Sequence, residues 1–144
     1  MAYLPNGTNE MTMYIHEDEG YGKYTWPIVN DMSDGGRSSY YLGFVSGDRP
    51  WSYAHNETLT DGSAVLVVKD SYGNAFVPWL IDHYEHIYWI DYRSYADWCA
   101  WAGIEDDSIS DFVERNNVQD VILLNQIGST GSEINLEDME KIFR

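Results

Sequence analysis

Residues 64–81, AVLVVKDSYGNAFVPWLI, decide how the rest of the chain is interpreted. Ala64 to Val68 form an unbroken apolar run, which is typical of a strand covered on both faces in a parallel sheet. Polar and small residues follow from Lys69 to Asn74 and predict a sharp turn. Apolar residues then return at helical spacing, at Phe76, Val77, Leu80, Ile81 and Tyr84. The stretch therefore predicts strand, turn and helix, with Ser71 at the carboxyl end of a central strand.

Two roles are open for Ser71 from its position alone. Serine and aspartate are favoured at helix starts because their oxygens accept a free backbone N–H, which is worth about 1 kcal/mol. Alternatively, ligands bind at the carboxyl ends of strands in open α/β sheets, because exposed helix amino ends lie beside them. An Asp-Ser pair is too short a motif to decide between the two.

Two further apolar runs, Ile87 to Asp91 and Val121 to Leu124, predict a second and a third buried strand. Residues 94–107 between them are expected to contain a short helical turn. Ser108 is expected to cap the next helix, and Asn135 the closing one. Three strands alternating with three helices predict a doubly wound, three-layer α/β fold with a parallel sheet.

The amino-terminal portion ahead of these strands is predicted to be β-rich and irregular. Met11 to His16 can form a strand, and Tyr24 to Val29 could pair with Ser39 to Val45 across the turn sequence at 30–36. Pro27 would place the first strand of that pair at a sheet edge.

The chain has 144 residues, of which 44% are hydrophobic. This is enough for one domain with a real core and too few for two of ordinary size. We expect a single domain, irregular and β-rich over residues 1–62 and of βαβαβα pattern over residues 63–144. No apolar run approaches the roughly 18 residues of a membrane span, and the amino end has no signal-peptide pattern.

The chain is strongly acidic, with 24 Asp and Glu against 8 Lys and Arg and a formal charge of −16. Such a surface repels phosphate backbones and anionic lipid, so neither nucleic acid nor direct membrane contact is expected. One cysteine, Cys99, excludes an internal disulfide and a cysteine-built metal site. No stretch has calcium-loop spacing. We therefore predict no metal site and no cofactor.

Three segments, VVKDSYGNAFVPWL at 67–80, HYE at 83–85 and IDYR at 90–93, resemble the DHHW protein family. This is a bacterial cell-envelope group within the SGNH (GDSL-like) hydrolase superfamily, similar to the alginate O-acetyltransferases. The resemblance runs from about residue 40 to 127 and implies an SGNH-hydrolase-like (flavodoxin-like) sheet. It also implies that Ser71 is the nucleophile, and Lys69 stands where the superfamily's Gly-Asp-Ser has glycine.

The resemblance implies further roles beside Ser71. Asn125 follows the third buried strand and matches an asparagine whose amide donates to the oxyanion, although it could merely end a strand. Such a donor contributes about 3 to 4 kcal/mol. Arg93 matches the arginine of an Asp-x-Arg pattern and could grip a carboxylate or acetyl carbonyl, or simply pair with Asp70 or Asp91. The residues expected to bind substrate are Asp70, Asn74 and Arg93.

A serine nucleophile needs a base and an orienting carboxylate. The last histidine is His86, so the usual carboxyl-terminal Asp-x-x-His is absent. The family's relatives carry the acid and base upstream, but this sequence has no Asp-His-His-Trp, and His16 and His55 lack a preceding acid. His83 and His86 are expected on the opposite edge of the sheet. The chain is therefore expected to be the carboxyl-terminal part of a longer domain or a relative without the dyad, with His55 as the alternative base.

The expected function is that of a serine esterase or O-acetyltransferase domain acting on a cell-envelope glycan, inactive as these residues alone. The alternative is a non-catalytic binding or scaffold domain. A glycan or acetyl-ester substrate and an extracytoplasmic location of the parent protein follow from the resemblance. Ser71 and Asn125 should lie on the same edge of the sheet. The aromatic residues to test for carbohydrate stacking are Tyr40, Tyr41, Trp51 and Tyr53.

Overall fold

A computed structural model of the chain describes residues 4–32, 41–105 and 107–144. Within these ranges, six strands form one sheet in the order β2-β1-β3-β5-β4-β6. The strands are β1 (Glu10–Glu17), β2 (Gly20–Pro27), β3 (Trp51–His55), β4 (Ala64–Lys69), β5 (His86–Asp91) and β6 (Asp120–Leu124). The α-helices are α1 (Tyr92–Ala102), α2 (Ile109–Arg115) and α3 (Glu133–Ile142). None of the described helices is both long enough and apolar enough to cross a membrane.

The sheet is mixed, and the prediction of a three-layer, flavodoxin-like parallel sheet is wrong. Strand β4 pairs in parallel with β5 and β6. The pairs β1–β2, β1–β3 and β3–β5 are antiparallel. The physical reason is that the amino-terminal strands do not form a separate portion. They extend the same sheet beyond β5, and β3 is antiparallel to β5.

Strand β4 is buried along its whole length, as its unbroken apolar run predicts. Val65 and Val67 face one core cluster, which includes Met13, Ile81 and Trp89. Leu66 and Val68 face the other cluster, whose members include Ile90, Tyr95, Trp98, Phe112 and Ile142. Because successive side chains of a strand point to opposite faces, β4 supplies both cores and holds the fold together.

The connection from β4 to β5 is not the predicted α-helix but two short 3₁₀ helices, Ser71–Ala75 and Val77–Leu80. Pro78 lies at the start of the second of these. Proline lacks an N–H, and its ring clashes with the carbonyl four residues earlier, so it interrupts a continuous α-helix through this stretch. The apolar spacing therefore predicts correctly that this stretch packs into the core. It is wrong in predicting an α-helix where the structure has 3₁₀ helices.

The helices beyond β5 also differ from the prediction. Helix α1 occupies most of the segment expected to form only a short turn, and it ends at Gly103 in the left-handed conformation (φ 69°). Ser108 caps α2 as predicted, accepting from the N–H of Asp111. Helix α3 starts after Ser132, earlier than the predicted cap at Asn135.

The amino-terminal hairpin differs from the expected pairing. Strand β2 pairs with β1, and Glu17 lies opposite Gly20 at the turn. Gly20 has φ 130°, a conformation that favours glycine. Of the predicted pairing between Tyr24–Val29 and Ser39–Val45, the described residues show one bridge, Val29 to Phe44. Residues Tyr24 to Pro27 pair with β1 instead, so the prediction is wrong for them. Ser39 and Tyr40 and the turn residues 33–36 lie outside the described ranges.

Candidate functional site

Ser71 is the first residue of the 3₁₀ helix that follows β4. Asp70, not Ser71, caps this helix, because Asp70 Oδ1 accepts a 2.9 Å hydrogen bond from the N–H of Tyr72. The capping role that the sequence left open for Ser71 therefore belongs to its neighbour.

Asp70 fixes the turn to the segment that follows β6. Its carboxylate is almost fully buried, and Oδ2 accepts from the N–H of Gln126 at 2.9 Å and from Oγ of Ser129 at 2.7 Å. Burial alone would raise the pKa of this carboxyl, but hydrogen bonds from Ser129, Gln126 and Tyr72 outweigh it and lower the pKa. Asp70 is therefore ionised, and both of its carboxylate oxygens accept hydrogen bonds that hold the turn in place.

Asn125 follows β6 at the same edge of the sheet. Strands β4 and β6 are parallel neighbours, with Lys69 opposite Leu124. Ser71 and Asn125 therefore follow the carboxyl ends of adjacent parallel strands. The side-chain oxygen of Asn125 is buried and has no hydrogen-bond partner among the described residues.

A cavity of about 400 Å³ opens at Ser71 and is lined by Tyr41, Ser71 and Tyr72. Both tyrosines are substantially exposed, and the hydroxyl of Tyr41 donates to the backbone carbonyl of Ser71. The cavity therefore has a serine and two phenol rings at its surface.

The other aromatic candidates lie elsewhere. Trp51 stacks on Trp98 with ring centroids 5.6 Å apart, and Tyr53 stacks on Tyr88 at 4.9 Å. Tyr40 lies outside the described residues.

Arg93 and Asn74 are joined by Asp48, a residue that the sequence analysis did not select. Arg93 donates from Nε to Asp91 Oδ1 and from Nη2 to Asp48 Oδ2, both at 2.8 Å. Asn74 donates from Nδ2 to the other oxygen of Asp48 at 2.9 Å. The hydrogen bond to Asp91 and the nearby charge of Asp48 raise the pKa of Arg93. Of the two roles open for Arg93, the structure shows the ion pair with Asp91.

Lys69 passes beneath the turn that carries Ser71. It is fully buried, and its Nζ has no hydrogen-bond partner among the described residues. A Cβ on Gly73 would lie 2.6 Å from Cβ of Lys69, so only glycine fits at this position of the turn. Burial lowers the pKa of the ammonium group, against the opposing charges of Asp91 and Asp48.

None of the four histidines is placed to serve Ser71, and the prediction of His55 as alternative base is wrong. His55 pairs with His86, which in turn lies beside Ala64 at the start of β4. Because a strand rises about 3.3 Å per residue, His55 and His86 at this end lie about 20 Å from the turn after β4 that carries Ser71. His83 precedes β5 and lies at that same end. His16, on β1, is three strand positions from β4, or about 14 Å.

The fold and the strand-end turn define a mixed α/β-sheet protein with a serine exposed to a cavity after its central strand. The sequence model of the DHHW protein family matches residues 1–90, more than half of the chain. The chain therefore belongs to the DHHW protein family. The match includes Asp70, Ser71 and Asn74 and ends before Arg93 and Asn125.

Solved structures share the fold of this chain. A DHHW family protein from Eubacterium siraeum is 26% identical, with a TM-score of 0.69 over 97% of this chain and 42% of its own. Bacillus cereus PatB1 is 19% identical, with a TM-score of 0.66 over 92% of this chain and 41% of its own. PatB1 with a sulfonyl adduct gives a TM-score of 0.62 at 19% identity, over 93% of this chain and 42% of its own. The chain thus spans about two fifths of these solved relatives. No curated protein matches the sequence.

Proposed function

We propose that this chain supplies the nucleophilic serine of a serine esterase or O-acetyltransferase that acts on an acetyl ester of a cell-envelope glycan. The observation that carries the proposal is the position of Ser71, which lines a cavity of about 400 Å³ at the end of β4. The buried carboxylate of Asp70 braces the turn, and Asn125 follows the adjacent parallel strand. These features match the SGNH type of serine chemistry that the resemblance implies.

The chemistry is an acyl transfer. Oγ of Ser71 attacks the acetyl carbonyl carbon while a base removes its proton, and the Asn125 amide donates to the resulting oxyanion. The tetrahedral intermediate collapses, the alcohol leaves with the proton, and an acetyl-serine remains. A second hydroxyl, from a glycan or from water, then takes the acetyl group and regenerates the serine.

The base for this reaction would come from outside the 144 residues, in agreement with the proposal that the chain is the carboxyl-terminal part of a longer domain. Edge strand β6 supports this, because its Val121 and Leu123 are 45% and 54% exposed, and Ile127 beyond it is 91% exposed. Apolar side chains in such a position are usually covered by further structure. The same additional sequence would carry the acid and the base that activate Ser71. We propose the cell-envelope location of the parent protein from the family resemblance.

The adduct in the PatB1 structure supports a nucleophile in this fold. A sulfonyl group is electrophilic and forms a covalent adduct with an activated side chain. The adduct belongs to PatB1. We infer that Ser71 is the corresponding reactive group of this chain.

The distance of every histidine from Ser71 favours a second candidate, a non-catalytic binding domain. In that case the cavity lined by Tyr41 and Tyr72 would hold a sugar against the phenol rings without any bond being broken. This candidate predicts glycan binding that is insensitive to Ser71→Ala and sensitive to Tyr72→Ala.

The experiment that separates the two is hydrolysis of p-nitrophenyl acetate by the full-length gene product. Ser71→Ala should lower the rate roughly a thousandfold or more, because the nucleophile is lost and only binding and the oxyanion donor remain. Ser110→Ala, an exposed serine on α2, is the matched control and should leave the rate unchanged. The isolated 144-residue chain and its Ser71→Ala variant should be equally inactive. A full-length Ser71→Ala variant with the parent rate would contradict the proposal.

A further inference from the structure

We propose that His55, Glu85 and His86 form a binding site for a divalent transition-metal ion, with Zn²⁺ as the best match to the ligands. The site lies at the start of β4 and β5, the opposite end of the sheet from Ser71. It is independent of the proposed acyl transfer, and the sequence analysis predicted no metal site.

The three side chains already converge. One ligand atom from each residue lies within 4.8 Å of the others. Nε2 of His55 and Nε2 of His86 are each 3.6 Å from Oε1 of Glu85. Zinc bonds of about 2.0 to 2.2 Å in tetrahedral geometry place neighbouring ligand atoms roughly 3.3 to 3.5 Å apart. The two His–Glu separations are close to this. The two histidine nitrogens lie within 4.8 Å of each other on stacked, nearly parallel rings, so the half-exposed His55 ring has to turn for both nitrogens to reach one ion.

Rigid secondary structure holds these ligands. His55 and His86 are directly opposite each other in the β3–β5 pair, and their rings stack 4.9 Å apart at 9°. The N–H of Asn56 donates to the Glu85 carbonyl and that of His86 to the Ser63 carbonyl, both at 2.9 Å. The backbone of all three ligands is therefore fixed before any ion binds.

Hydrogen bonds to the far atoms of His86 and Glu85 leave Nε2 of His86 and Oε1 of Glu85 available for the ion. The Tyr53 hydroxyl lies 2.9 Å from Nδ1 of His86, and the N–H of Gly62 donates to Oε2 of Glu85 at 2.7 Å. Metal-bound histidines usually donate their other ring N–H to such a partner. The oxygen of the Tyr53 hydroxyl can accept that N–H. Nε2 of His86 and Oε1 of Glu85 are thus oriented toward the same point.

The donor set and its surroundings select the class of ion. Two imidazoles and one carboxylate suit Zn²⁺ and its transition-metal neighbours, whereas Mg²⁺ and Ca²⁺ prefer all-oxygen ligands. A cavity of about 360 Å³ lies on the His55 side of the cluster and is lined by Tyr53 and His55, but not by Glu85 or His86. Since one ligand comes from β3, one from the start of β5 and Glu85 from the residue just before β5, the ion would bind the folded chain in preference to the unfolded one.

Titration calorimetry with Zn²⁺, in excess Mg²⁺ to occupy the acidic surface, tests the proposal. We expect one ion per chain, and His55→Ala should weaken binding at least tenfold because one of three ligands is lost. His16→Ala, a histidine on β1 away from the cluster, is the control and should bind as the parent does. Tyr53→Phe should weaken binding about tenfold through the lost outer hydrogen bond.

A spectroscopic arm on the parent protein avoids reliance on variants that fail to fold. Co²⁺ in place of Zn²⁺ should give the intense visible absorption of a low-coordinate site with nitrogen ligands, and Zn²⁺ should abolish it. The proposal is overturned if no saturable binding exceeds the Mg²⁺ background. It is equally overturned if His55→Ala binds as tightly as the parent, or if His16→Ala loses as much affinity.

Discussion

The hydroxyl of Ser129 donates a 2.7 Å hydrogen bond to Oδ2 of Asp70, a residue 59 positions earlier in the chain. The same carboxylate oxygen accepts from the backbone of Gln126. These two bonds fasten the turn after β4 to the segment after β6. They therefore set where Ser71 lies relative to Asn125, which is the relationship on which the proposed chemistry depends.

Ser129→Ala should lower the free energy of unfolding by about 1.5 to 3 kcal/mol, because it removes a hydrogen bond to a buried charged carboxylate. The pKa of Asp70 is lowered in the folded state. Its contribution is therefore complete above the unfolded value of about 3.9 and disappears as the pH falls through the folded value. Urea unfolding from pH 7 down to pH 3 should show the cost of Ser129→Ala shrinking at the acid end. Thr60→Ala, at an exposed position, is the control. An equal loss of stability in this variant would contradict the role assigned to the hydrogen bond between Ser129 and Asp70.

Lys69→Met should stabilise the protein at neutral pH, because a buried ammonium group without a hydrogen-bond partner is replaced by an apolar chain of similar length. Burial lowers the folded-state pKa of Lys69 below its unfolded value. The parent should therefore gain stability as the pH rises from the folded pKa toward about 10.4, and the variant should lack this gain. The tyrosines and Cys99 titrate in both proteins, so their contributions cancel when the free energy of unfolding of one protein is subtracted from that of the other at each pH. A pH-independent difference would show that burial does not lower the pKa of Lys69 in the folded protein.

Arg93→Ala should cost more stability than Asp48→Asn. Asp91 is 1% exposed and would be left as a buried carboxylate without its guanidinium. Because the Arg93 side chain is itself 36% exposed, we discount the buried-pair cost to about 2 kcal/mol. Asp48→Asn removes the charge that pairs with Arg93 and keeps Oδ1 as the acceptor for the buried Asn74 amide. Because Asp48 is 42% exposed, losing this ion pair should cost below about 1 kcal/mol. Thermal unfolding of both variants measures the difference, and equal losses would place the main partner of Arg93 at Asp48.

Val67→Asp should unfold the domain, since it places an unpaired carboxylate in the centre of β4. Val121→Asp on the adjacent strand β6 is the matched control, because Val121 is 45% exposed. Circular dichroism should show loss of folded signal only for the first variant. A melting temperature for Val67→Asp near that of the parent would contradict the central position of β4.

The parallel strands of the sheet could be predicted from the sequence, and the antiparallel ones only in part, since β1 was predicted at Met11 to His16 while β3 was not. Strands β4, β5 and β6 are apolar runs, and the predicted bounds differ from the observed ones by one residue at an end. The prediction that β6 is buried is wrong, because this strand lies at the sheet edge with Val121 and Leu123 exposed. Strand β3 alternates large, half-exposed aromatic residues with buried Ser52 and Ala54, so it shows no apolar face to recognise. Strand direction has no local signal either, and this is why the sequence predicts a parallel sheet where the structure has a mixed one.

The site residues divide in the same way. Ser71 and Asn125 could be placed at one edge of the sheet because they come one or two residues after recognisable strands, and their catalytic roles stay predictions. Asp48 was missed because its partner Arg93 is 45 residues away and the two meet only through the fold. The cluster of His55 with Glu85 and His86 was missed for the same reason, since the pairing of β3 with β5 creates it.

The most direct test of the account is whether Ser71 reacts as a nucleophile in the full-length gene product. The protein is treated with a sulfonyl fluoride, and its peptides are mapped by mass spectrometry, so that displacement of fluoride by Oγ leaves a stable sulfonyl ester. We predict a single adduct on the peptide that carries Ser71, present in Ser110→Ala and absent from Ser71→Ala. An unlabelled Ser71 peptide, or an adduct that persists in Ser71→Ala, would contradict the assignment of Ser71 as the nucleophile.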